Sequence, residues 1–235
     1  MSKALRSVGV RICVLIAAVS IIYTLYAAID PEYTLNISGR FLCAAAVILP
    51  LGCSSFLIAR EMPNEDKKQQ VYHIFFWILF IYYIIQMIYM LFFAREFSRQ
   101  GYDLLDGRYL DNLRIQWEYR CNLIPFQTID LMMNAYANDM NSLANINILG
   151  NIVAFMPFAF FLPKLFPSMN QTKKFLGCMA CMIILVEVIQ FFTLSGTMDI
   201  DDFILNMAGT CCLFFLLKLP LCHRLMLCHK SIQNI

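Results

Sequence analysis

Six long apolar stretches divide the chain, and polar segments separate them, the longest of which runs from Arg95 to Asn145. Each stretch is close to the length that a helix needs to cross the hydrocarbon core of a bilayer, about 20 residues. We therefore predict an all-α fold, a polytopic membrane bundle of about six transmembrane helices. The predicted spans are Ile12–Ile29, Phe41–Ala59, Ile74–Ala94, Ile146–Pro163, Phe175–Leu194 and Phe203–Leu219.

The amino-acid composition points the same way. Hydrophobic residues make up 60% of the chain and charged residues only 14%, whereas a soluble domain usually has about a quarter of its residues charged. The net charge of +2 is too small, and the basic residues are too scattered, for a nucleic-acid-binding surface. We therefore expect membrane lipids as partners and no nucleic acid.

The distribution of lysine and arginine predicts the orientation. Placing the N-terminus inside puts twelve of the 18 Lys and Arg residues on the cytoplasmic side, as the positive-inside rule favours. Both termini are then cytoplasmic, and the polar segment from Arg95 to Asn145 is external. The first span could instead be a signal peptide cleaved near Ala27–Ala28, but its apolar run is longer than is typical, which favours a retained helix.

The spans and loops predict three regions. Within the external loop, Pro125 predicts an extended or turn segment at Ile124, and Thr128–Tyr136 could lie as an interfacial helix. The predicted regions are 1–95, an N-terminal three-helix membrane region; 96–220, the external loop with three transmembrane helices; and 221–235, a cytoplasmic tail.

Prolines and small residues mark the fourth span. Pro157 should bend the helix and Pro163 should end it. One face is small or polar enough to let another helix approach closely. That face contains Asn147, Gly150, Asn151 and Ala154.

Cysteines and histidines do not form a recognisable metal site. Most of the ten cysteines lie in apolar segments. Cys178 and Cys181 form a C-x-x-C pair, but no second pair or histidine completes a zinc site, so packing is favoured over redox or metal use. Cys121 is the one cysteine in the predicted external loop. We predict no metal and no cofactor.

An acidic run, Asp199, Asp201 and Asp202, stands at the start of the sixth span. At about 100° per residue, Asp202, Asn206 and Gly209 share the helical stripe of Asp199. Asp201 points roughly the other way. Polar side chains this close to a hydrocarbon-length segment are costly unless they are partnered or hydrated.

The predicted topology brings further polar groups to the same depth. Glu187 and Gln190 share a face of the fifth span, Asn151 lies in the fourth, and Asn122 lies in the preceding loop. All fall in the outer half of the bilayer. A bare carboxylate there should be protonated or paired, and we expect Gln190, Asn151 and Asn206 to donate hydrogen bonds to Glu187.

These groups have two interpretations. In the first, they form a buried hydrogen-bond network that fixes helix packing, and the aspartates cap a helix N-terminus. In the second, they line an outward-facing polar pocket for a headgroup, ion or small ligand. We favour the pocket, because one cap does not require three carboxylates.

Five short motifs in order resemble the VanZ-like family, over roughly Arg120 to Leu219. They are Asn122-Leu-Ile-Pro125-Phe126, Gly150-Asn151-Ile-Val-Ala-Phe155-Met-Pro157-Phe158, Leu162-Pro163, Glu187-Val-Ile-Gln190, and Asp199-Ile-Asp201-Asp202 through Asn206 and Gly209. The family often carries an arginine before the acidic run, which is absent here, and Arg114 or Arg120 is a candidate to replace it. The candidate functional cluster is Asn122, Pro125, Phe126, Asn151, Glu187, Gln190, Asp199, Asp201, Asp202 and Asn206.

The resemblance implies a multi-pass protein of the bacterial plasma membrane. The family is named for a member associated with low-level resistance to the glycopeptide teicoplanin, without remodelling of the cell-wall precursor. A lipid-linked cell-wall precursor or a glycopeptide is therefore an implied partner of this chain.

Three functions follow as hypotheses. The favoured one is a non-enzymatic envelope protein whose polar pocket binds a lipid headgroup or the drug. The alternative is an intramembrane enzyme acting on a lipid or lipid-linked substrate, with Glu187 as general acid or base and the Asp199–Asp202 cluster holding a divalent ion. The chain offers no credible nucleophile–base pair for it. A proton-coupled transporter using Glu187 is less favoured, because no internal repeat is visible.

Overall fold

The computed structural model of the chain describes residues 3–29, 35–94, 107–137 and 141–220. Within these ranges the protein is helical and contains no β-strand, which confirms the all-α prediction. The helices are α1 (Lys3–Ile29), α2 (Ile37–Ala59), α3 (Glu65–Phe92), α4 (Tyr109–Arg120), α5 (Gln127–Ala137), α6 (Asn141–Ala154), α7 (Met156–Leu165), α8 (Thr172–Phe192) and α9 (Ile200–Lys218), with a short 3₁₀ turn at Pro167–Asn170.

Six segments of the described chain are long and apolar enough to cross a membrane: α1, α2, α3, the α6–α7 pair, α8 and α9. This confirms the prediction of about six spans, and the chain is a multi-pass membrane protein. The helices extend further into polar sequence than predicted. Helix α3, for example, begins at Glu65 rather than Ile74, because Glu65 and Asp66 in its first turn interact favourably with the helix dipole.

The chain forms two compact units, one containing α1–α3 and the other containing α4–α9. The predicted cytoplasmic tail, 221–235, lies outside the described residues, as do residues 95–106 of the predicted external loop. The candidate functional cluster belongs entirely to the second unit.

Helices α8 and α9 pack side by side in opposite directions. The rings of Phe175 and Phe214 stack, with centroids 4.0 Å apart and planes 4° from parallel. Lys218 Nζ donates a hydrogen bond to Thr172 Oγ1 at 2.8 Å, next to this stack. Because both helices are regular, these contacts fix their register along the whole pair.

The fourth span is two helices rather than one. Helix α6 ends at Ala154 and α7 begins at Met156, so Pro157 lies in the first turn of α7, where a missing N–H is tolerated. The predicted bend at Pro157 is confirmed as a break just before it. The prediction that Pro163 ends the helix is wrong: α7 continues to Leu165, because burial of Pro163 and the bond from Phe166 N to Leu162 O at 2.8 Å keep the helical path.

The close approach of α6 to a neighbour occurs at Gly209 of α9. A Cβ added to Gly209 would lie 1.9 Å from the backbone oxygen of Ile152, so only glycine fits there. Of the face of α6 that was expected to allow this approach, Asn151 reaches Asp202 of α9, whereas Gly150 is not at the contact, because nothing described lies within 4 Å of a Cβ built there. The side chain of Asn147 lies outside the described part of the chain.

Helix α4 was not predicted. It is anchored to the turn between α8 and α9 by polar side chains. Gln116 is buried, and its Nε2 donates to Phe191 O at 3.2 Å and to Gly196 O at 2.6 Å. Tyr109 Oη donates to Phe192 O at 2.8 Å. Backbone carbonyls at a helix C-terminus lack intrahelical partners, and α4 supplies donors for them.

Candidate functional site

The segment before α5 pairs with the segment before α9 through backbone hydrogen bonds. Asn122 N donates to Met198 O at 3.0 Å, and Ile200 N donates to Asn122 O at 2.9 Å, which forms a short parallel bridge. The turn predicted before Pro125 is present at residues 121–126. The bridge therefore holds the start of α5 beside the start of α9.

Asp199 is the N-cap of α9. Its Oδ1 accepts a hydrogen bond from Asp201 N at 2.8 Å and another from Asn122 Nδ2 at 3.1 Å. Its Oδ2 accepts from the hydroxyl of Thr128 at 2.6 Å. This carboxylate both caps its own helix and links α9 to the preceding loop and α5.

Asp201 caps a different helix, α5. Its side chain is fully buried. Its Oδ1 accepts from Phe126 N at 2.5 Å, and its Oδ2 accepts from Thr128 N at 2.7 Å and Ile129 N at 3.1 Å. These are backbone donors at the first turn of α5, where the helix dipole also favours a negative charge.

A second polar group lies further along α9. It consists of Asp202 and Asn206 of α9 and Asn151 of α6, and we call it the Asp202 cluster. Asn151 Nδ2 donates to Asp202 Oδ1. Asn206 Nδ2 donates to the backbone oxygen of Asp202 at 2.8 Å. Because that carbonyl only accepts, it sets the orientation of the Asn206 amide and turns Oδ1 away from it.

Two buried oxygens of α9 have no donor among the described residues, Asn206 Oδ1 and Thr210 Oγ1. Both side chains are buried, at 3% and 0% exposure. A buried acceptor without a donor is unfavourable by roughly 1–3 kcal/mol. This part of α9 therefore has hydrogen-bonding capacity that the packing of the described helices does not use.

Glu187 lies at the same level as Asp202 along the α8–α9 pair. Counting from the stacked pair, Glu187 is twelve residues beyond Phe175 on α8, and Asp202 is twelve residues before Phe214 on α9. At about 1.5 Å per residue, both are about 18 Å from the stack. Glu187 is buried at 8% exposure, so its carboxylate faces the helices rather than the lipid.

The predicted residues therefore fall into three places. Asn122, Phe126, Asp199 and Asp201 form the capping group, although Phe126 contributes its backbone N–H and its side chain is exposed, as Pro125 is. Asn151, Asp202 and Asn206 form the Asp202 cluster. Glu187 and Gln190 are buried on α8, and Gln190 O accepts the backbone N–H of Ser195 at 3.1 Å.

Two expectations need correction. The amides of Asn151 and Asn206 were expected to donate to Glu187, but the hydrogen bonds described for them go to Asp202, which lies on the same stripe of α9 one turn from Asn206. The second correction concerns the three aspartates, of which only one was expected to be needed as a helix cap. Asp199 and Asp201 cap two different helices, so only Asp202 is left over.

The oxygens of Asp201 already accept three backbone N–H groups. This differs from the arrangement in the enzyme hypothesis, in which all three aspartates hold one divalent ion. Arg114, a candidate for the family's missing arginine, has Nε 2.9 Å from Glu118 Oε1 on the exposed surface of α4.

Sequence reasoning missed Thr128 and Gln116. Thr128 provides a hydroxyl and a backbone N–H to two aspartates; a threonine shortly after Pro125 was the available signal for a helix start there. Beside this group, burial raises the pKa of the Cys121 thiol, and the nearby Asp199 carboxylate raises it further.

Comparison with known proteins supports the resemblance seen in the motifs. Residues 80–222 match the VanZ/LLP1 family, which is more than half of the chain and begins within α3. No curated protein and no solved structure matches the chain significantly. On the strength of the family match, the chain belongs to the VanZ/LLP1 family.

Proposed function

We propose that this protein acts in the bacterial plasma membrane, where a polar pocket at the Asp202 cluster binds a headgroup of a lipid-linked cell-wall precursor or of a lipoglycopeptide. Binding would lower the susceptibility of the cell to teicoplanin. The observation that carries the proposal is the buried Asn206 Oδ1, which has no donor among the described residues. Asn206 lies one helical turn from Asp202, which is the residue at the level of Glu187 on the neighbouring helix.

The chemistry of the cluster indicates what it would bind. Asp202 and Asn206 Oδ1 are acceptors, and Glu187 adds a further acidic group. Acceptors favour ligand groups that donate, such as sugar hydroxyls, peptide N–H groups and ammonium groups. The glycopeptide and the sugar-peptide end of a lipid-linked precursor both carry such donors, whereas an isolated phosphate would be repelled.

The depth of the cluster supports an amphipathic ligand. In the predicted orientation the start of α9 lies at the outer membrane boundary, where a lipid-anchored drug or precursor presents its polar part. The carboxylates of the capping group already have a structural role, because Asp199 and Asp201 hold α5 and α9 together. We therefore assign binding to the Asp202 cluster and a structural role to the other two aspartates.

The test is expression of the wild-type chain in a susceptible Gram-positive host, compared with Asn206→Leu and Asp202→Asn. Both variants should lose the protection against teicoplanin while remaining in the membrane at wild-type amounts. Asp111→Asn is the matched control, since it makes the same chemical change at an exposed residue of α4, and it should protect like the wild type.

Labelled teicoplanin on the same cells separates the two ligand classes. If the protein binds the drug, retention of label should depend on Asn206; if it binds the precursor, label on cells should fall while susceptibility still depends on Asn206. Protection that is unchanged in both variants would contradict the proposal.

A further inference from the structure

The N-terminal unit contains a cavity of about 220 Å³ between the start of α1 and the end of α2. Its lining has two parts. The polar part consists of Arg6, Ser7, Arg11 and Glu61, and the apolar part of Val10, Leu57 and Ile58. A cavity that is cationic on one side and apolar on the other, at the end of two membrane-spanning helices, matches the boundary between a lipid headgroup and its acyl chains.

We propose that this cavity binds the phosphodiester headgroup of an anionic phospholipid. The site is separate from the Asp202 cluster: it belongs to the other unit, and its residues lie outside the range that matches the VanZ/LLP1 family. The proposal therefore does not depend on the function proposed for that cluster.

The charges in the cavity favour an anion. Arg6 Nη1 is 3.4 Å from Glu61 Oε1, so this pair largely cancels. Arg11 has no acidic partner among the described residues and adds one uncompensated positive charge. A guanidinium group binds phosphate oxygens through paired N–H donors, which makes it well suited to a phosphodiester.

The same charges disfavour a zwitterionic headgroup. The ammonium group of phosphatidylethanolamine would have to compete with Arg6 for Glu61, and its net charge is zero. Phosphatidylglycerol carries one negative charge and hydroxyl groups that Ser7 can contact. Val10, Leu57 and Ile58 then continue the cavity with apolar surface, which suits the start of an acyl chain and not a free phosphate ion.

The predicted orientation, rather than the charges around the cavity, supports an anionic lipid at this end of the unit. Beyond the lining the charges are mixed, since Glu65 and Asp66 lie in the first turn of α3 and Lys68 Nζ is 2.6 Å from Glu65 Oε1. The positive-inside distribution predicts this end of the unit on the cytoplasmic side, where anionic lipids attract basic groups.

The test uses the purified full-length chain in detergent, titrated with phosphatidylglycerol, with phosphatidylethanolamine and with soluble glycerol phosphate, and read by native mass spectrometry. We expect bound phosphatidylglycerol to exceed bound phosphatidylethanolamine, and soluble glycerol phosphate not to compete. Arg11→Gln should weaken phosphatidylglycerol binding about fivefold. Arg60→Gln is the control, since Arg60 lies at the same end but does not line the cavity, and it should bind like the wild type.

Glu61→Gln gives a change of opposite sign. It removes the one acidic group of the cavity and should strengthen phosphatidylglycerol binding, which a variant that merely damages the fold would not do. Equal binding of both lipids, competition by glycerol phosphate at the same concentration, or equal effects of Arg11→Gln and Arg60→Gln would each overturn the proposal.

Discussion

The carboxylate of Asp201, at the start of α9, accepts a hydrogen bond from the backbone N–H of Thr128, at the start of α5, over 2.7 Å. Phe126 N and Ile129 N donate to the same carboxylate. One side chain thus closes the first turn of a helix about seventy residues earlier in the chain. This cap ties the start of α5 to the start of α9. The loop before α5 is tied to α9 as well, because Asn122 Nδ2 donates to Asp199 Oδ1.

Replacing Asp201 by asparagine should destabilise the fold by about 2 kcal/mol, because a charged acceptor of three backbone donors becomes a neutral group with an amide nitrogen facing one of them. We expect the thermal unfolding midpoint of the purified protein to fall by several degrees. Asp111→Asn, at the exposed first turn of α4, is the control and should change stability by less than about 0.5 kcal/mol. Equal midpoints for both variants would contradict the capping role.

The spans were predictable because hydropathy reports them directly. Each apolar stretch is long, and a helix is the simplest structure that satisfies its backbone in lipid. The ends were less predictable, since polar residues such as Glu65 continue a helix beyond the hydrocarbon region.

Helix α4 shows what hydropathy cannot report. Its sequence has no continuous apolar face. Its attachment depends on donors from Gln116 and Tyr109 to backbone carbonyls and on one ring contact, between Trp117 and Phe191. Such contacts leave no periodic pattern. Thr128 is a similar case: a single polar residue whose partners lie far away in the chain.

The polar cluster was predicted in composition but not in its pairings. The helical stripe correctly separated Asp201 from Asp202 and Asn206. It also grouped Asp199 with those two, whereas the structure places Asp199 with Asp201, because both carboxylates accept from Thr128. Which glycine allows close packing was not predictable, because Gly150 and Gly209 both lie beside polar residues. Only the helix crossing decides that Gly209 faces Ile152.

The contact between Gly209 and Ile152 predicts a sharp difference between two glycines. Gly209→Ala would drive a methyl group into a backbone oxygen, so α6 must move, and we expect a loss of about 3 kcal/mol. Gly150→Ala, in open space on α6, should be neutral or stabilising by up to about 1 kcal/mol. Thermal unfolding of both variants measures the difference, and similar midpoints would show that α6 and α9 do not pack in this way.

Gln116 provides a test of the anchoring of α4. Gln116→Glu keeps the shape of the side chain but replaces the donating Nε2 by a carboxylate oxygen, which would then face the carbonyl oxygens of Phe191 and Gly196. We expect a loss of about 2 kcal/mol and faster hydrogen exchange of the α4 backbone. Glu118→Gln on the exposed face of the same helix should leave exchange unchanged; protection of α4 that survives Gln116→Glu would argue against the anchor.

Cys121 reports both orientation and local electrostatics. In the predicted orientation it should react with a membrane-impermeant maleimide on intact cells, and Cys121→Ser should abolish that labelling. Burial and the Asp199 carboxylate raise the pKa of the thiol, so the thiolate forms at a higher pH than in a free cysteine. The rate of labelling should therefore increase at a higher pH than the rate measured for a free cysteine. Labelling that depends on Cys121 and appears only after the cells are opened would reverse the predicted orientation.

The most direct measurement for the proposed function is the binding of labelled teicoplanin, and its competition by a lipid-linked cell-wall precursor, with the full-length chain in nanodiscs. Asn206→Leu removes the buried acceptor with little change in volume, so it should weaken binding about tenfold while the unfolding midpoint stays near the wild-type value. Asn170→Leu makes the same change at an exposed residue of the 3₁₀ turn before α8 and should bind like the wild type. If Asn206→Leu binds both ligands as tightly as the wild type, the Asp202 cluster is a packing element and not a binding site.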